Sequence, residues 1–378
     1  MSVIWRYIRL DVHTAITQMI DCTANSIQSR VPLSPQTQLW QSPKPLALEH
    51  NGHLLPYELA YRTWGSLNAV GDNAILVVHA LSGSADLESW WPDLLGEGKP
   101  LNPNKDFVVC INLLGSCYGS SGPVTSQPGT DQLWLSRFPE ISVRDQARAQ
   151  AELLRSLGIR KLRSVIGPSL GGMVALELAL LEPELVGSLI LIGTTARHSA
   201  QAIANSSCQR AAIRLDPAFN GGNYALEQQP RAGLALARQM AFVGYRSERE
   251  FSERFARDAG ETERFSIQDY LAHQGRKFVE RFDANSYLRL SLCMNSHDLG
   301  RGRGNAQAAL QNIHQPTVVI SLENDQLYSF AEQAQLAEHI PNAVHELIPT
   351  RYGHDGFLIE TDAMAVILDR FLSTLGRD

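Results

Sequence analysis

At 378 residues, with 44% hydrophobic and 19% charged positions, the chain has an ordinary globular composition, and no window approaches the roughly 18 uninterrupted apolar residues of a membrane span. Its 33 Lys and Arg against 39 Asp and Glu give a net charge of -6, which argues against the basic surface that coats nucleic-acid phosphates. Five cysteines with no C-x-x-C pair form neither a disulfide framework nor a zinc site, and they fit a reducing, cytoplasmic setting.

The N-terminal stretch MSVIWRYIRLDVHTAITQMIDCTANSIQSR is poor in acids and weakly amphipathic, as a transit peptide would be, but Asp11 and Asp21 interrupt the pattern. Residues 1–44 are expected to be a poorly ordered extension, with Met19 open as an alternative start. Apolar runs then recur as AILVVHA (74–80), DFVVCINLLG (106–115), KLRSVIG (161–167), LVGSLILIG (185–193) and PTVVISLEND (316–325), each read as a buried parallel strand. Between the second and third, SVRDQARAQAELLRSLGI reads as a helix, opened by a Ser142/Asp145 capping box and closed by Gly158. After Ser169, the spacing of Met173, Leu176, Leu180 and Leu181 predicts a one-faced helix ending before Pro183. Strands alternating with helices imply a doubly wound parallel α/β sheet, formed from residues 45–197 and 312–378. The rhythm breaks over 198–311, where polar, helical composition predicts an inserted cap over the C-terminal edge of the sheet, the edge where such sheets bind ligands.

GPSLGGM places Ser169 between a strand and a helix in a G-x-S-x-G pattern. Either it is a nucleophile with Oγ exposed on a strained elbow, or it is a helix-capping serine in a glycine-rich turn. In the elbow, the Leu170 N–H would face a developing oxyanion, and Gly172 would let helix and strand pack closely. A serine nucleophile needs a base, and the base an orienting carboxylate, following in the order Ser, Asp or Glu, His. His354 in PTRYGHDGFLIE and Asp325 at the end of PTVVISLEND satisfy that order. Glu323, inside the strand run, is second choice to Asp325. His79 precedes the serine and is expected to shape the loop HALSG, whose Leu81 or Ser82 N–H would be the second oxyanion donor. His297 reads as a solvated or hydrogen-bonded residue of the insertion. Arg301 and Arg303 in GRGRG read either as ligands for an anion such as a phosphate or as a solvated turn.

Such a triad serves esterases, peptidases and acyltransferases alike. The stretches HALSGSADLESWW, INLLGSCYGSSGP, GPSLGGM, ERFDANSYL, MNSHDLGRGRG and YGHDGFLIE together resemble the homoserine O-acetyltransferase family, from about Pro45 to Leu372. The resemblance implies an α/β-hydrolase fold and a methionine-biosynthetic acyltransferase with Ser169, Asp325 and His354 as its triad. It implies ping-pong transfer from acetyl-CoA, a co-substrate with no bound cofactor and no metal, through acyl-Ser169 to the homoserine hydroxyl. It further implies that Arg238, Tyr245 and Asp355 hold the amino acid, and that a homodimer forms through the insertion. A guanidinium can grip a carboxylate bidentately, and Asp355 can pair with an ammonium.

Succinyl-using relatives resemble Asp-Trp-Arg at the catalytic aspartate. Here Asp325-Gln326-Leu327 offers a succinyl carboxylate no partner at Leu327, so acetyl is expected. Departures from the family pattern stand at Pro168 and Leu170 in the elbow and at Ser82-Gly83-Ser84 in the first loop, and they leave serine open as an alternative acceptor. Other readings are a serine esterase, in which water deacylates Ser169, and a non-catalytic scaffold.

Overall fold

An eight-stranded sheet runs through the computed structural model, which describes residues 29–376 except 51, 55 and 259–263. In chain order the strands are β1 (Gln38–Gln41), β2 (Leu46–Ala47), β3 (His53–Leu54), β4 (Glu58–Trp64), β5 (Ala74–Val77), β6 (Phe107–Ile111), β7 (Leu162–Pro168), β8 (Leu189–Ile192), β9 (Thr317–Leu322) and β10 (Ala343–Ile348). The spatial order is β1-β4-β6-β5-β7-β8-β9-β10, with β2 and β3 paired apart. From β6 to β10 every pairing is parallel, while β1 and β4 join antiparallel. Each of the five expected strands coincides with its apolar run, β7 extending one residue past it to Pro168. Strands β5, β8 and β9 are buried at every position, as a sheet covered on both faces requires.

Five further strands, β1 to β4 and β10, lie outside those runs. β4 forms the second half of HLLPYELAYRTW, and β1 lies inside the segment 1–44 read as a loose extension. Trp40 of β1 packs edge-on against Tyr57 at 5.8 Å, and Arg30 N donates to Cys117 O at 2.9 Å, so residues 29–44 are fastened to the core. Residues 1–28, including Met19, lie outside the described residues.

The core helices are α1 (Val143–Ser156) and α2 (Leu170–Leu181). In α1 the capping box is present in both directions, and Gly158 follows at a φ of 83°. Helix α2 departs from the expected single face: Leu170 to Ala179 are buried all round, whereas Leu180 and Leu181 are only half-buried. It is packed between the sheet and α1, so no face is left for water.

Residues 198–311 carry α3 (Ala200–Leu215), α4 (Arg231–Tyr245), α5 (Glu248–Phe255), α6 (Ser266–Arg281), α7 (Ala284–Asn295) and α8 (Ala306–Gln311). Side chains cap new helices within the insertion: Ser247 accepts from Glu250 N, and Asp283 from Ser286 N. Helix α4 packs on α3 and α6 and meets the turn Gly353–Asp355 after β10, which puts the insertion over the carboxyl ends of the strands. The chain returns through α9 (Phe330–His339), α10 (Gly356–Ile359) and α11 (Thr361–Thr374). Among the described residues, no helix is long and apolar enough to cross a membrane.

Candidate active site

Because β5 and β7 are neighbours, the loop after β5 and the turn after β7 emerge side by side. That turn holds Ser169 at φ 55° and ψ −121°, a region L-residues rarely occupy. Its backbone is tied from both sides: Ser169 N donates to Ile192 O at 2.9 Å, and Thr194 Oγ1 donates to Ser169 O at 2.8 Å. The elbow is tight enough to demand glycine. A Cβ at Gly171 would stand 2.0 Å from Val78 O, and one at Gly172 would stand 2.6 Å from Thr194. Gly172 was expected to permit this packing, but the closer approach is at Gly171.

The serine side chain makes no capping bond, which removes the capping reading. Instead Ser169 Oγ–H donates to His354 Nε2 at 3.0 Å, and His354 Nδ1–H donates to Asp325 Oδ2 at 2.8 Å. Asp325 is itself fixed: Oδ1 accepts from Leu327 N and Tyr328 N, and Oδ2 from Gln333 Nε2. Burial alone would depress the His354 imidazolium, but the charge of Asp325 and the hydrogen bond to it, with Asp355 adding, hold its pKa above the ordinary value. The rings of Tyr245, Tyr328 and Phe357 surround the imidazole at 5.5–5.7 Å. Glu323 is exposed and plays no part in this chain of bonds.

Facing the serine is the loop HALSG. His79 is fully buried, with Nδ1–H donating to Ala80 O at 2.8 Å and Nε2 accepting from Leu113 N at 3.1 Å. Burial lowers its pKa to about 4, so it stays neutral and braces the loop as expected. None of the Leu81, Ser82 and Leu170 N–H groups has an acceptor among the described residues, and Leu170 opens α2, whose dipole is positive there.

Ser169, His354 and the loop residues Ala80, Leu81, Ser82 and Gly83 border a cavity of about 140 Å³, together with Arg238, Tyr245 and Asp355 from the predicted acceptor set, while Leu170 is not among its lining residues. The Arg238 guanidinium lies 4.5 Å from the Phe242 ring centroid, 4.7 Å from that of Phe278 and 5.7 Å from that of Tyr245, and it has no acidic partner among the described residues. Burial pulls its pKa below the ordinary value, with Tyr245 opposing that fall. Asp355 is engaged: its Oδ2 lies 2.9 Å from Arg246 Nε, a charge contact whose N–H is not aimed as a hydrogen bond. Trp90, Arg281, Phe357 and Leu358 complete the lining. They fall within motif stretches, but nothing in their spacing announces a role; Arg246 gives no signal beyond following Tyr245.

Two sequence readings need correction. Leu327 is not among the lining residues: it packs against the core, and its N–H supports Asp325. Arg301 and Arg303 do not lie free for phosphates: both are ion-paired, although Gly302 and Gly304 of the same turn are exposed. Arg301 clasps Glu49 through Nε and Nη2, and Arg303 Nη2 lies 2.8 Å from Glu177 Oε2. His297 takes the hydrogen-bonded alternative, with Nε2–H donating to Thr195 O at 2.9 Å, and is not solvated.

A family model described as alpha/beta hydrolase fold matches residues 73–361. Homoserine O-acetyltransferases of Nostoc punctiforme and Trichormus variabilis are 48% and 46% identical to this chain, covering 89% and 91% of it and 96% of each relative. Among solved structures, homoserine O-acetyltransferase from Bacillus anthracis superposes with a TM-score of 0.83 at 27% identity, covering 89% of this chain and 97% of that one. The acetyl esterase MekB superposes with a TM-score of 0.80, also at 27% identity, covering 89% of this chain and 96% of that one. With its triad at the carboxyl edge of a largely parallel sheet, and nearly half its residues shared with those relatives along nine-tenths of its length, the chain belongs to the homoserine O-acetyltransferase family of the α/β-hydrolase fold.

Proposed function

We propose that this enzyme transfers the acetyl group of acetyl-CoA to the side-chain hydroxyl of homoserine, in methionine biosynthesis, by way of an acyl-Ser169 intermediate. One observation carries the reading: the Ser169–His354–Asp325 chain opens into a cavity that also holds the unpaired Arg238 guanidinium and the Asp355 carboxylate. At about 140 Å³ the cavity is smaller than the ~300–1,000 Å³ that drug-sized ligands occupy, and it suits a small amino acid.

In the first half-reaction His354 Nε2 takes the Ser169 hydroxyl proton as Oγ attacks the thioester carbonyl. The tetrahedral oxyanion is met by the Leu170 N–H and by Leu81 or Ser82 N–H. The C–S bond breaks, His354 returns the proton to the leaving CoA thiolate, and the acetyl group stays on Ser169. In the second, His354 takes the proton of the homoserine hydroxyl, whose oxygen attacks the acyl carbon; the Ser169 ester bond breaks and Ser169 is reprotonated. Arg238 takes the acceptor's carboxylate and Asp355, beside Tyr245, its ammonium, drawing Asp355 partly away from Arg246.

Rapid mixing with acetyl-CoA alone should release one equivalent of CoA per active site. Addition of homoserine should then restart turnover, while Ser169→Ala releases none. Water as acceptor is the second reading, favoured by the MekB likeness; acetyl-CoA cleavage equally fast with and without amino acid would establish it. Initial rates with homoserine and serine at matched concentrations separate those acceptors, which differ by one methylene and so by about 1–3 kcal/mol of discrimination. Succinyl-CoA is tested in the same assay.

The exposed Leu215, Leu236 and Val243 of α3 and α4 support a homodimer through the cap, to be read from solution mass. The free cysteines, of which Cys110, Cys117 and Cys293 are buried, support a cytoplasmic setting.

A further inference from the structure

The cap touches the oxyanion loop through Arg281, the last residue of α6. Its Nη1 donates to Ser82 O at 2.8 Å and to the Tyr118 hydroxyl at 2.7 Å. Every other anchor of the loop comes from the loop itself or the core. Ala80 O accepts from His79 Nδ1 and Gly83 N, Ser84 O accepts from Trp90 Nε1, and Ala85 N donates to Asn112 Oδ1. Ser82 O therefore depends on the insertion, and it belongs to a residue whose own N–H is a candidate oxyanion donor. The bond is charge-assisted, and Arg281 has no acidic partner among the described residues to compete for it. Tyr118 is a dependable second anchor. Burial raises its hydroxyl to about 12, so it stays neutral, and its ring packs edge-on against Phe282 at 5.8 Å.

We propose that Arg281 is a positioning residue for the oxyanion hole, holding the Ser82 carbonyl so that the Leu81 and Ser82 N–H groups stay aimed at the reacting carbonyl. The Ser82–Gly83 peptide unit is held at its N–H by Ala80 O and at its carbonyl by Arg281, so losing the second tie lets the plane tilt about the first, and the tilt passes through Ser82 to the adjoining unit that carries the Ser82 N–H. The oxyanion hole thereby takes its final shape only with the end of α6 in place, which ties catalytic competence to the docking of the cap. Although Arg281 also borders the cavity, the hydrogen bonds it makes are directed at the loop and at Tyr118, which leaves Arg238 as the guanidinium free for an acceptor carboxylate.

This inference rests on the acyl-serine reading, and both half-reactions pass through the same oxyanion hole. In Arg281→Met, acylation (CoA release without acceptor) and deacylation (acyl-enzyme decay on adding homoserine) should slow by a common factor of about 10- to 100-fold. The acceptor KM should stay within about threefold of wild type. Arg281→Lys, which can still donate to Ser82 O, should recover part of both rates. Tyr118→Phe removes only the second anchor and should slow both steps in the same ratio by a smaller factor; it decides the matter if Arg281→Met fails to fold. An acceptor KM raised tenfold or more with acylation intact would make Arg281 a substrate ligand and overturn the proposal, as would unchanged rates in both steps. Ser169→Ala run alongside separates the two levels: CoA release persisting there refutes the acyl-serine reading itself.

Discussion

Ser169 is held at a positive φ that costs a non-glycine residue about 1–3 kcal/mol, and the cost keeps Oγ off the helix terminus and in reach of His354 Nε2. Because Asp325 raises the His354 pKa above the ordinary ~6.5, the base is protonated at mildly acidic pH, and turnover should fall as pH drops through that raised value. Asp325→Asn removes both the charge and the hydrogen bond that raise it. The acid limb of the kcat/KM profile should then move to lower pH while kcat falls by about 10⁴-fold, read from pH–rate profiles of the two proteins. An unmoved limb would mean that another group titrates. The meeting of Ser169, Asp325 and His354 at one edge was legible from chain order, because loops after parallel strands converge there. Arg246 and Arg281 were not, since their partners Asp355 and Ser82 lie more than a hundred residues away in sequence.

At the scale of elements, the GRGRG turn shows how a motif suggestive of anion binding can be spent on architecture. Glu177 of α2 is 1% exposed at its side chain and meets both Arg144 of α1 and Arg303 of the turn, while Glu49 meets Arg144 and Arg301. Removing the buried charge leaves two guanidinium groups without it, so Glu177→Gln should lower stability by about 3 kcal/mol in denaturant titration. Arg303→Met should lower the melting temperature yet leave the KM for acetyl-CoA unchanged; a raised KM would return Arg303 to phosphate binding. Helix α2 teaches a related point. Its tight elbow makes Gly171→Ala severe, and a Cβ 2.0 Å from Val78 O should cost several kcal/mol and collapse CoA release together with thermal stability.

At the scale of the molecule, core and cap join at a stem where the chain leaves and returns. His198 N donates to His297 O, and Leu299 N to Ala196 O. Both imidazoles are buried there, each with one ring nitrogen lacking a partner, and burial lowers both to about 4, with the charge of His297 adding to the fall at His198. Between about 6.5 and 4 the unfolded chain binds more protons than the folded one, so stability rises with pH across that window and is lost as pH falls. The loss should reach about 3 kcal/mol for each imidazole by pH 4, measured as melting temperature against pH. His297→Gln, which keeps a donor for Thr195 O, should flatten the curve, and an unchanged curve would place the acid sensitivity elsewhere. By itself the sequence determined the alternation of buried strands and helices, the elbow, the order of the triad and the position of the cap, because periodicity, glycine spacing and chain order are local or topological properties. Only the tertiary structure decided what each charged side chain meets: that Arg238 is left unpaired in the cavity, that Arg301 and Arg303 are bound to Glu49 and Glu177, and that Arg281 donates to Ser82 O. A long charged side chain can reach acceptors far away in sequence, and which one it takes is fixed only when distant segments pack.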